Sequence, residues 1–469
     1  LDRPRFAAEN VAVRLGPAEA LSTLDFARLE GDFIAGGVAG DYAGGEGLLY
    51  NVPIRLSESD GGWRFVRGML DLEGDGVLTS TSRSGPMFEP IATDDLALHL
   101  ENNVITVAAT LDTPEARVEI AQVDLRHNLA TGRGEALLDT PRLEFNDNLR
   151  IEDVTPVLIG VVADVDGLVS GTGRLAWSPE EMTSTGSYQL IDMDLAASFG
   201  PVRGLNTTLE FTDLLGLNTA PDQLATVREI NPGVLVENGA IRFQLLSSNR
   251  FAVEGARWPF AGGEIVLEPT ILDFGEEEVR RLTFWMIGVD AWQFVEERDF
   301  DSIAATGTFD GVLPMVFDRN GGRIEGGYLQ SRDEGGTFSY RGEISDVDLG
   351  VFGTLAFDAL ELVRYNTMLL TFDGDLDGEM ITSIDFTGVA PRIRSEGQNF
   401  IVAGLTRQLA AIPIRFDITM RAPFQGLLYS VRLLDDPTFL VTEAIARARR
   451  ERETGAEQPV QPPESGTVP

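Results

Sequence analysis

The sequence predicts a mainly all-β fold, built as one long twisted antiparallel sheet, and two features lead to this prediction. First, apolar and polar residues alternate along many short segments, as they do in strands that bury one face. Second, the chain has 50 glycines among 469 residues, above the average share of about 7%, and they are spread over its whole length. Because glycine is common in turns, this distribution indicates many strands joined by tight turns.

The alternation locates individual strands, and turn dipeptides predict how they are joined. The clearest alternating segments are residues 105–111, 241–245, 282–286, 309–317 and 414–420. Asn-Gly and Asp-Gly steps supply the positive φ that tight hairpins need, and they occur at Asp75-Gly76, Asn238-Gly239, Asn320-Gly321 and Asp377-Gly378. Strand, turn and strand in succession predict an antiparallel meander with one apolar face and one acidic face, curled so that its two ends do not meet.

Helical signals are few and lie near the carboxyl terminus. A short helix is predicted within residues 400–409. The clearest one follows Asp436-Pro437, where apolar residues fall at helical spacing, and the Pro- and Gln-rich end of the chain is predicted to be disordered.

Composition excludes several classes of function. The 37 basic residues, all of them Arg, stand against 74 acidic ones, and the formal net charge is −37. A surface this negative repels phosphate backbones, so we expect no nucleic-acid partner. With 0 Cys and 2 His, thiolate chemistry is excluded and a His-based metal site is not expected.

No motif predicts an enzyme, a cofactor or a metal. Residues 171–176 match a dinucleotide fingerprint, but strand and turn signals follow where that motif requires a helix. Asp373, Asp375 and Asp377 resemble half of a calcium loop, yet Ile384 occupies the position of its bidentate carboxylate. His99 and His127 have no partner motif and are expected to be ordinary strand residues.

The apolar strand faces remain, and two interpretations of them stay open. They form either an ordinary buried core or the lining of an open groove for an apolar ligand. Alternation alone does not separate these two possibilities.

Particular stretches of the sequence resemble the YdbH-like family of the AsmA-like proteins. The similarity is strongest over residues 160–447 and looser before them. The stretches are NTAPDQ at 218–223, INPGV at 230–234, NGAIRF at 238–243, WPFAGG at 258–263, ATGTFDGVLP at 305–314, GGTFSY at 335–340, FDI at 416–418, APF at 422–424 and DPT at 436–438.

The resemblance implies a bridge-like lipid transporter of the Gram-negative envelope, with a U-shaped, taco-like β-groove. Phospholipids are the implied cargo, carried through the periplasm from the inner to the outer membrane. The implied partners are the inner membrane, reached through an N-terminal helix absent from this chain, and a small YnbE-like outer-membrane lipoprotein. That lipoprotein would add a strand at the carboxyl-terminal end. On this basis the chain is expected to be the truncated periplasmic portion of a longer protein, with no catalytic residues.

The resemblance and the strand pattern together suggest a division of the chain and a set of groove residues. Residues 1–160 are expected to form the amino-terminal part of the groove, 161–437 the YdbH-like groove region, 438–453 a helix and 454–469 a disordered tail. The candidates for contact with lipid are apolar residues of the clearest strands: Phe284, Met286, Phe309, Leu313, Met315, Phe338, Phe372, Ile414, Phe416, Ile418 and Met420.

Two alternative functions use the same sheet. An envelope assembly or scaffold factor would act by strand pairing and would need free sheet edges rather than an apolar floor. A dicarboxylate carrier is the other alternative, although the net charge of the chain opposes anion binding.

Overall fold

The computed structural model confirms the all-β prediction. It describes residues 5–82, 85–158, 162–197, 200–231, 235–246, 250–273, 279–297, 303–318, 321–340, 363–376, 378–389 and 413–423. Among these residues, 26 strands form one sheet, and all of the strand pairs given below are antiparallel. The backbone amides and carbonyls of a strand are therefore satisfied by its neighbours, without a second sheet.

The first half of the sheet is a continuous meander in which each strand pairs with the next along the chain. Its strands are β1 (Arg5–Leu15), β2 (Ser22–Ile34), β3 (Gly37–Leu48), β4 (Ile54–Val66), β5 (Met69–Ser80), β6 (Ile91–Glu101), β7 (Val104–Asp112), β8 (Glu119–Asn128), β9 (Arg133–Phe145), β10 (Val162–Trp177), β11 (Met182–Ala197) and β12 (Gly200–Asp213). Two 3₁₀ turns, Ile151–Asp153 and Pro156–Leu158, lie between β9 and β10.

The second half continues the same pattern, but several of its long strands are interrupted. Its strands are β13 (Asn218–Thr219), β14 (Gln223–Ile230), β15 (Val236–Leu246), β16 (Arg250–Phe260), β17 (Gly263–Leu267), β18 (Thr270–Asp273), β19 (Arg280–Asp290), β20 (Ile303–Thr306), β21 (Thr308–Asp318), β22 (Gly321–Ser331), β23 (Gly336–Tyr340), β24 (Val363–Asp375), β25 (Glu379–Val389) and β26 (Pro413–Pro423). Both β13 and β14 pair with β12, both β17 and β18 with β16, and both β22 and β23 with β24.

Two predicted hairpin turns are wrong, because both dipeptides lie inside a strand and not between two strands. Asp75-Gly76 lies within β5 and Asn238-Gly239 lies within β15. Asn238 has a φ of 55°, and the register of β5 against β6 shifts between Gly74 and Gly76. A local irregularity of this kind bends a strand and increases its twist, so these residues shape the sheet without ending a strand.

The prediction missed the helix α1 (Ala291–Glu297), which follows β19. The side chain of Asp290 accepts a hydrogen bond from the backbone N–H of Gln293 at 2.9 Å. An aspartate that caps the first turn in this way is a common helix start. It was overlooked because only seven residues follow it in the helix.

The expected carboxyl-terminal helix at 438–453, the tail at 454–469 and the short helix at 400–409 lie outside the described residues. The expected boundary between residues 160 and 161 falls between β9 and β10, which pair with each other from Gly167↔Phe145 to Trp177↔Gly134. The sheet is therefore continuous from one side of this boundary to the other, and the division into parts stays a prediction.

Candidate functional site

One face of the sheet, called the inner face below, carries the buried apolar side chains. In β14, Ala225 and Val227 are buried. The residues that alternate with them, Leu224, Thr226 and Arg228, are exposed. β19 repeats the pattern with Leu282, Phe284 and Met286 buried. The period of two that predicted these strands thus separates an apolar inner face from an outer face.

The sheet itself must cover its inner face. A single layer of strands leaves both faces open to solvent, yet inner-face side chains such as Trp258 and Ile324 are 2% and 1% exposed. In the part of the chain that the structure describes, the only α-helix is α1, and Phe294 from this helix packs at the margin. Burial this deep therefore requires that the twisted sheet curls around its own inner face.

The carboxyl-terminal half of the inner face contains two groups of buried side chains. The larger group, the carboxyl-terminal cluster, draws on strands from β12 to β25. The second, the β24–β25 cluster, contains Val363, Tyr365 and Phe386. Both belong to the apolar lining of the curled sheet.

The structure places seven of the eleven candidate groove residues on this lining. Phe284, Met286 and Met315 are buried members of the carboxyl-terminal cluster, and Leu313 and Phe372 pack against it half-buried. Phe309 is buried in the β24–β25 cluster, with Phe338 half-buried beside it. The half-buried candidates keep surface available for a ligand, whereas the fully buried ones mainly pack against other side chains. Their contact with lipid stays a prediction.

The other four candidates lie on β26, whose side chains are outside the described part of the structure. The backbone register pairs Ile418 with Ile384, Phe416 with Phe386, Met420 with Thr382 and Ile414 with Gly388. Directly opposed residues share a face of the sheet. The register fixes only which residues of β25 these four positions oppose, and their place in a groove stays a prediction.

The amino-terminal half contains an apolar cavity that the candidate residues did not include. This amino-terminal cavity has a volume of about 310 Å³. The residues that line it are Leu15, Ser22, Thr23, Leu24, Gly47, Leu48, Leu49, Val52, Ile54, Leu56, Leu78, Phe88, Ile91, Thr93, Leu96, Leu98, Ile105, Val107, Ala109, Leu111, Val123, Leu125, Ala136, Leu138, Leu175, Trp177, Leu214 and Leu215. No charged residue is among them. The alternation at 105–111 was the available signal, since four alternate residues of that segment line the cavity.

The connections between strands form two rims, because successive strands run in opposite directions. In the meander from β1 to β12, we call the connections that follow odd-numbered strands, such as β1–β2 and β3–β4, the first rim. The connections that follow even-numbered strands are the second rim. On the first rim, the β5–β6 connection packs on the segment that follows β9. The backbone N–H of Glu89 donates to the backbone carbonyl of Val154 at 3.0 Å. The Thr155 hydroxyl donates to the backbone carbonyl of Met87 at 2.9 Å.

The two rims meet beside the amino-terminal cavity, at a contact that we call the seam. It consists of Gly16, Ala20 and Asn51 from the first rim and Leu129, Gly132, Ser178 and Pro179 from the second. The Asn51 side-chain amide donates to the Ser178 carbonyl at 3.0 Å. A Cβ added at Gly16 would lie 3.3 Å from the Leu129 oxygen, and one at Gly132 would lie 3.1 Å from the Ala20 Cβ. Opposite rims can touch only if the twisted sheet curls around its inner face and brings them together.

The outer face carries the charge. Arginines form exposed ion pairs with carboxylates of neighbouring strands, as in Arg174 with Glu135 at 2.6 Å and Arg332 with Asp310 at 2.7 Å. Exposed pairs of this kind add little stability. With twice as many acidic as basic residues in the chain, the net charge stays strongly negative and favours solubility of a sheet with a large apolar face.

The two histidines occupy opposite faces. His99 is on the outer face, where a 2.6 Å hydrogen bond to Asp71 raises its pKa. His127 is 0% exposed, and burial lowers its pKa. Its Nδ1 accepts a hydrogen bond of 3.0 Å from the indole N–H of Trp177, which lines the amino-terminal cavity.

Comparison with known proteins identifies a family. In the described part of the chain, no helix has the length and apolar character needed to cross a membrane. No curated protein and no solved structure matches the chain. The YdbH-like family, described as "Intermembrane phospholipid transport protein YdbH", matches residues 4–446. The match covers nearly the whole chain and confirms the resemblance of the sequence, so the chain belongs to the YdbH-like family.

Proposed function

We propose that this chain is part of a periplasm-spanning bridge that carries phospholipids between the inner and outer membranes. The acyl chains lie along the inner face and the headgroups stay in solvent. The observation that carries this proposal is the apolar inner face, which extends from the amino-terminal cavity to the β24–β25 cluster. Membership of an intermembrane phospholipid transport family supports the cargo and a location in the cell envelope.

The energetics favour a lining without a tight binding site. Each CH₂ group costs about 0.8 kcal/mol to leave in water. A continuous apolar surface removes this cost at every point of the route. The candidate groove residues named above, together with the lining of the amino-terminal cavity, would supply that surface in our proposal. No bond is made or broken, so such a lining requires no catalytic group.

We further propose that the ends of the bridge are held by the inner membrane, through an N-terminal helix, and by a small YnbE-like lipoprotein. Among the described residues, β26 pairs only with β25. A strand with one unpaired edge can accept a strand from another chain. This edge supports strand addition as the mode of contact with the lipoprotein.

The edge of β26 that has no partner strand among the described residues also favours a second candidate function, a scaffold or assembly factor that pairs with strands of client proteins. Such a factor would depend on the edge and not on the apolar inner face. The uncharged lining of the amino-terminal cavity offers no counter-charge to a dicarboxylate and disfavours that third alternative.

A pair of neighbouring substitutions tests lipid transfer. Leu313→Arg would place a charge on the inner face at a half-buried position, whereas Val312→Arg would place it on the outer face. Val312 pairs in register with Trp285 and Tyr328, both exposed. We expect Leu313→Arg to slow transfer of a fluorescent phosphatidylethanolamine between donor and acceptor vesicles at least tenfold, and Val312→Arg to transfer at the wild-type rate.

Circular dichroism and resistance to limited proteolysis serve as the folding controls for both variants. Equal transfer by the two folded variants would contradict the proposal. Wild-type protein that binds client strands through β26 but transfers no lipid would favour the assembly factor.

A further inference from the structure

The amino-terminal cavity has room for one hydrocarbon chain and offers it few polar contacts. Its volume of about 310 Å³ is near the lower limit of roughly 300 Å³ for pockets that hold small ligands. Two of its hydroxyl groups already have partners, because Ser22 accepts from the Tyr50 N–H at 3.2 Å and Thr93 donates to Asp95 at 3.2 Å. The cavity therefore suits one alkyl chain at a time, whether from a single-chain lipid or from one arm of a phospholipid.

His127 lies next to this cavity on the same face of the sheet. It follows Leu125 by two residues on β8, and Leu125 lines the cavity. The register places Ile105, another lining residue, directly opposite His127. The neighbouring Leu129–Gly132 turn takes part in the seam. An ionisable side chain is thus fully buried between the cavity and the seam, directly behind the residues that line the cavity.

Trp177 determines which nitrogen of His127 carries the proton. The indole N–H donates to Nδ1, so the neutral ring holds its proton on Nε2. The two rings stack with centroids 6.0 Å apart. In the described part of the chain, Nε2 of His127 is buried and has no hydrogen-bond partner. Buried donors are almost always paired, and one that is unpaired calls for an explanation.

We infer that the amino-terminal cavity binds a single acyl chain whose terminal carbonyl or carboxylate oxygen accepts a hydrogen bond from Nε2 of His127. The inference rests on the proposed function, since it takes a lipid chain as the occupant, and adds a polar contact at a fixed position. The oxygen belongs either to a free fatty acid or to an acyl ester. Both present the same acceptor at the end of an alkyl chain.

Nitrogen-15 NMR of histidine-labelled protein tests this directly, because the chain has only 2 His. The probes are palmitic acid, methyl palmitate and hexadecane, each added to delipidated full-length chain. We expect palmitic acid or methyl palmitate to shift the Nε2–H signal of His127 downfield, while His99 on the outer face does not respond. The relative response to the acid and to the ester distinguishes the two sources of the oxygen. Hexadecane has no acceptor and should leave the signal in place.

Two variants add a second readout. His127→Leu should weaken binding of the oxygen-bearing probe about tenfold, the loss expected for one hydrogen bond, and leave hexadecane binding unchanged. His127→Gln, which keeps an amide N–H donor, should retain more of the affinity than His127→Leu.

A histidine signal that no probe shifts would overturn the inference, and that result decides the question even if the variants do not fold. Equal affinity in wild type and folded His127→Leu would also overturn it and would assign the buried N–H to an ordered water. If wild-type protein transfers phospholipid and Leu313→Arg does not, the proposed function stands whatever the outcome at His127.

Discussion

At the scale of single residues, the two histidines make opposite contributions to stability as the pH changes. The hydrogen bond to Asp71 raises the pKa of His99, so its contribution is present below the unfolded pKa and is lost as the pH rises through the folded value. Burial lowers the pKa of His127, so the unfolded chain binds the proton more readily. Its contribution is present above about pH 6.5 and falls as the pH decreases below that value.

We predict that His127 makes the protein less stable in mild acid. In a His99→Gln background, which removes the opposing contribution, the free energy of unfolding should fall by up to about 1.4 kcal/mol per pH unit below pH 6.5. Urea unfolding between pH 7.5 and 5.5 measures this slope. The additional substitution His127→Gln should flatten it, and an unchanged slope in the double variant would assign the effect to the carboxylates.

Gly239 provides a second residue-scale prediction. A Cβ added there would lie 2.0 Å from Nε1 of Trp258, which is 2% exposed and has little space to move. Gly239→Ala should therefore destabilise the protein by about 1–3 kcal/mol, the usual cost of overpacking. Gly62→Ala is the matched control, since the nearest atom to its added Cβ is 3.8 Å away. Equal unfolding midpoints in urea for the two variants would contradict this packing.

At the scale of elements, β19 shows how one strand separates the two faces. Phe284 points into the carboxyl-terminal cluster and is 6% exposed, whereas its neighbour Trp285 is 40% exposed and donates to Glu268. Phe284→Ala should cost about 3–5 kcal/mol because it leaves a cavity in a packed cluster. Trp285→Ala should cost less than about 1 kcal/mol. Chemical denaturation measures both, and a larger loss for the tryptophan variant would reverse our assignment of the faces.

The sequence predicted the elements better than it predicted the site. Alternation correctly indicated strands such as β7 and β19, because a half-buried strand imposes a period of two on its residues. The Asn238-Gly239 step resembled a turn, because a positive φ inside a strand and one in a tight hairpin favour the same residue types. The helix α1 was missed because a single capping aspartate is a weak signal. Local sequence therefore specifies the strands but not their interruptions.

At the scale of the whole molecule, the amino-terminal cavity was beyond reach of the sequence because it depends on distant contacts. Asn51 and Ser178 are 127 residues apart in the chain. Nothing in either segment indicates that opposite rims of the sheet meet. Whether an apolar strand face forms a packed core or a cavity depends on this curling. The alternation at residues 105–111 therefore predicted which side chains lie on the apolar face, but not that they line a cavity.

The seam can be tested in a chain that has no native cysteine. Asn51→Cys combined with Ser178→Cys should form a disulfide under oxidising conditions, because the two residues are in contact. Closing so long a loop should raise the free energy of unfolding by about 5 kcal/mol in the chain-entropy description. Non-reducing electrophoresis and urea unfolding with and without reductant measure both effects. A double variant that remains reduced would contradict the contact between the rims.

The central claim is that lipid lies along the inner face and not the outer face, and photo-crosslinking along β7 tests it most directly. A photoreactive amino acid is placed in turn at each position from Ile105 to Thr110, and the protein is irradiated in the presence of phospholipid vesicles. We predict crosslinks to phospholipid at Ile105, Val107 and Ala109, which line the cavity, and none at Thr106, Ala108 and Thr110 between them. Crosslinks of equal yield at all six positions, or none at the three lining positions, would contradict the account.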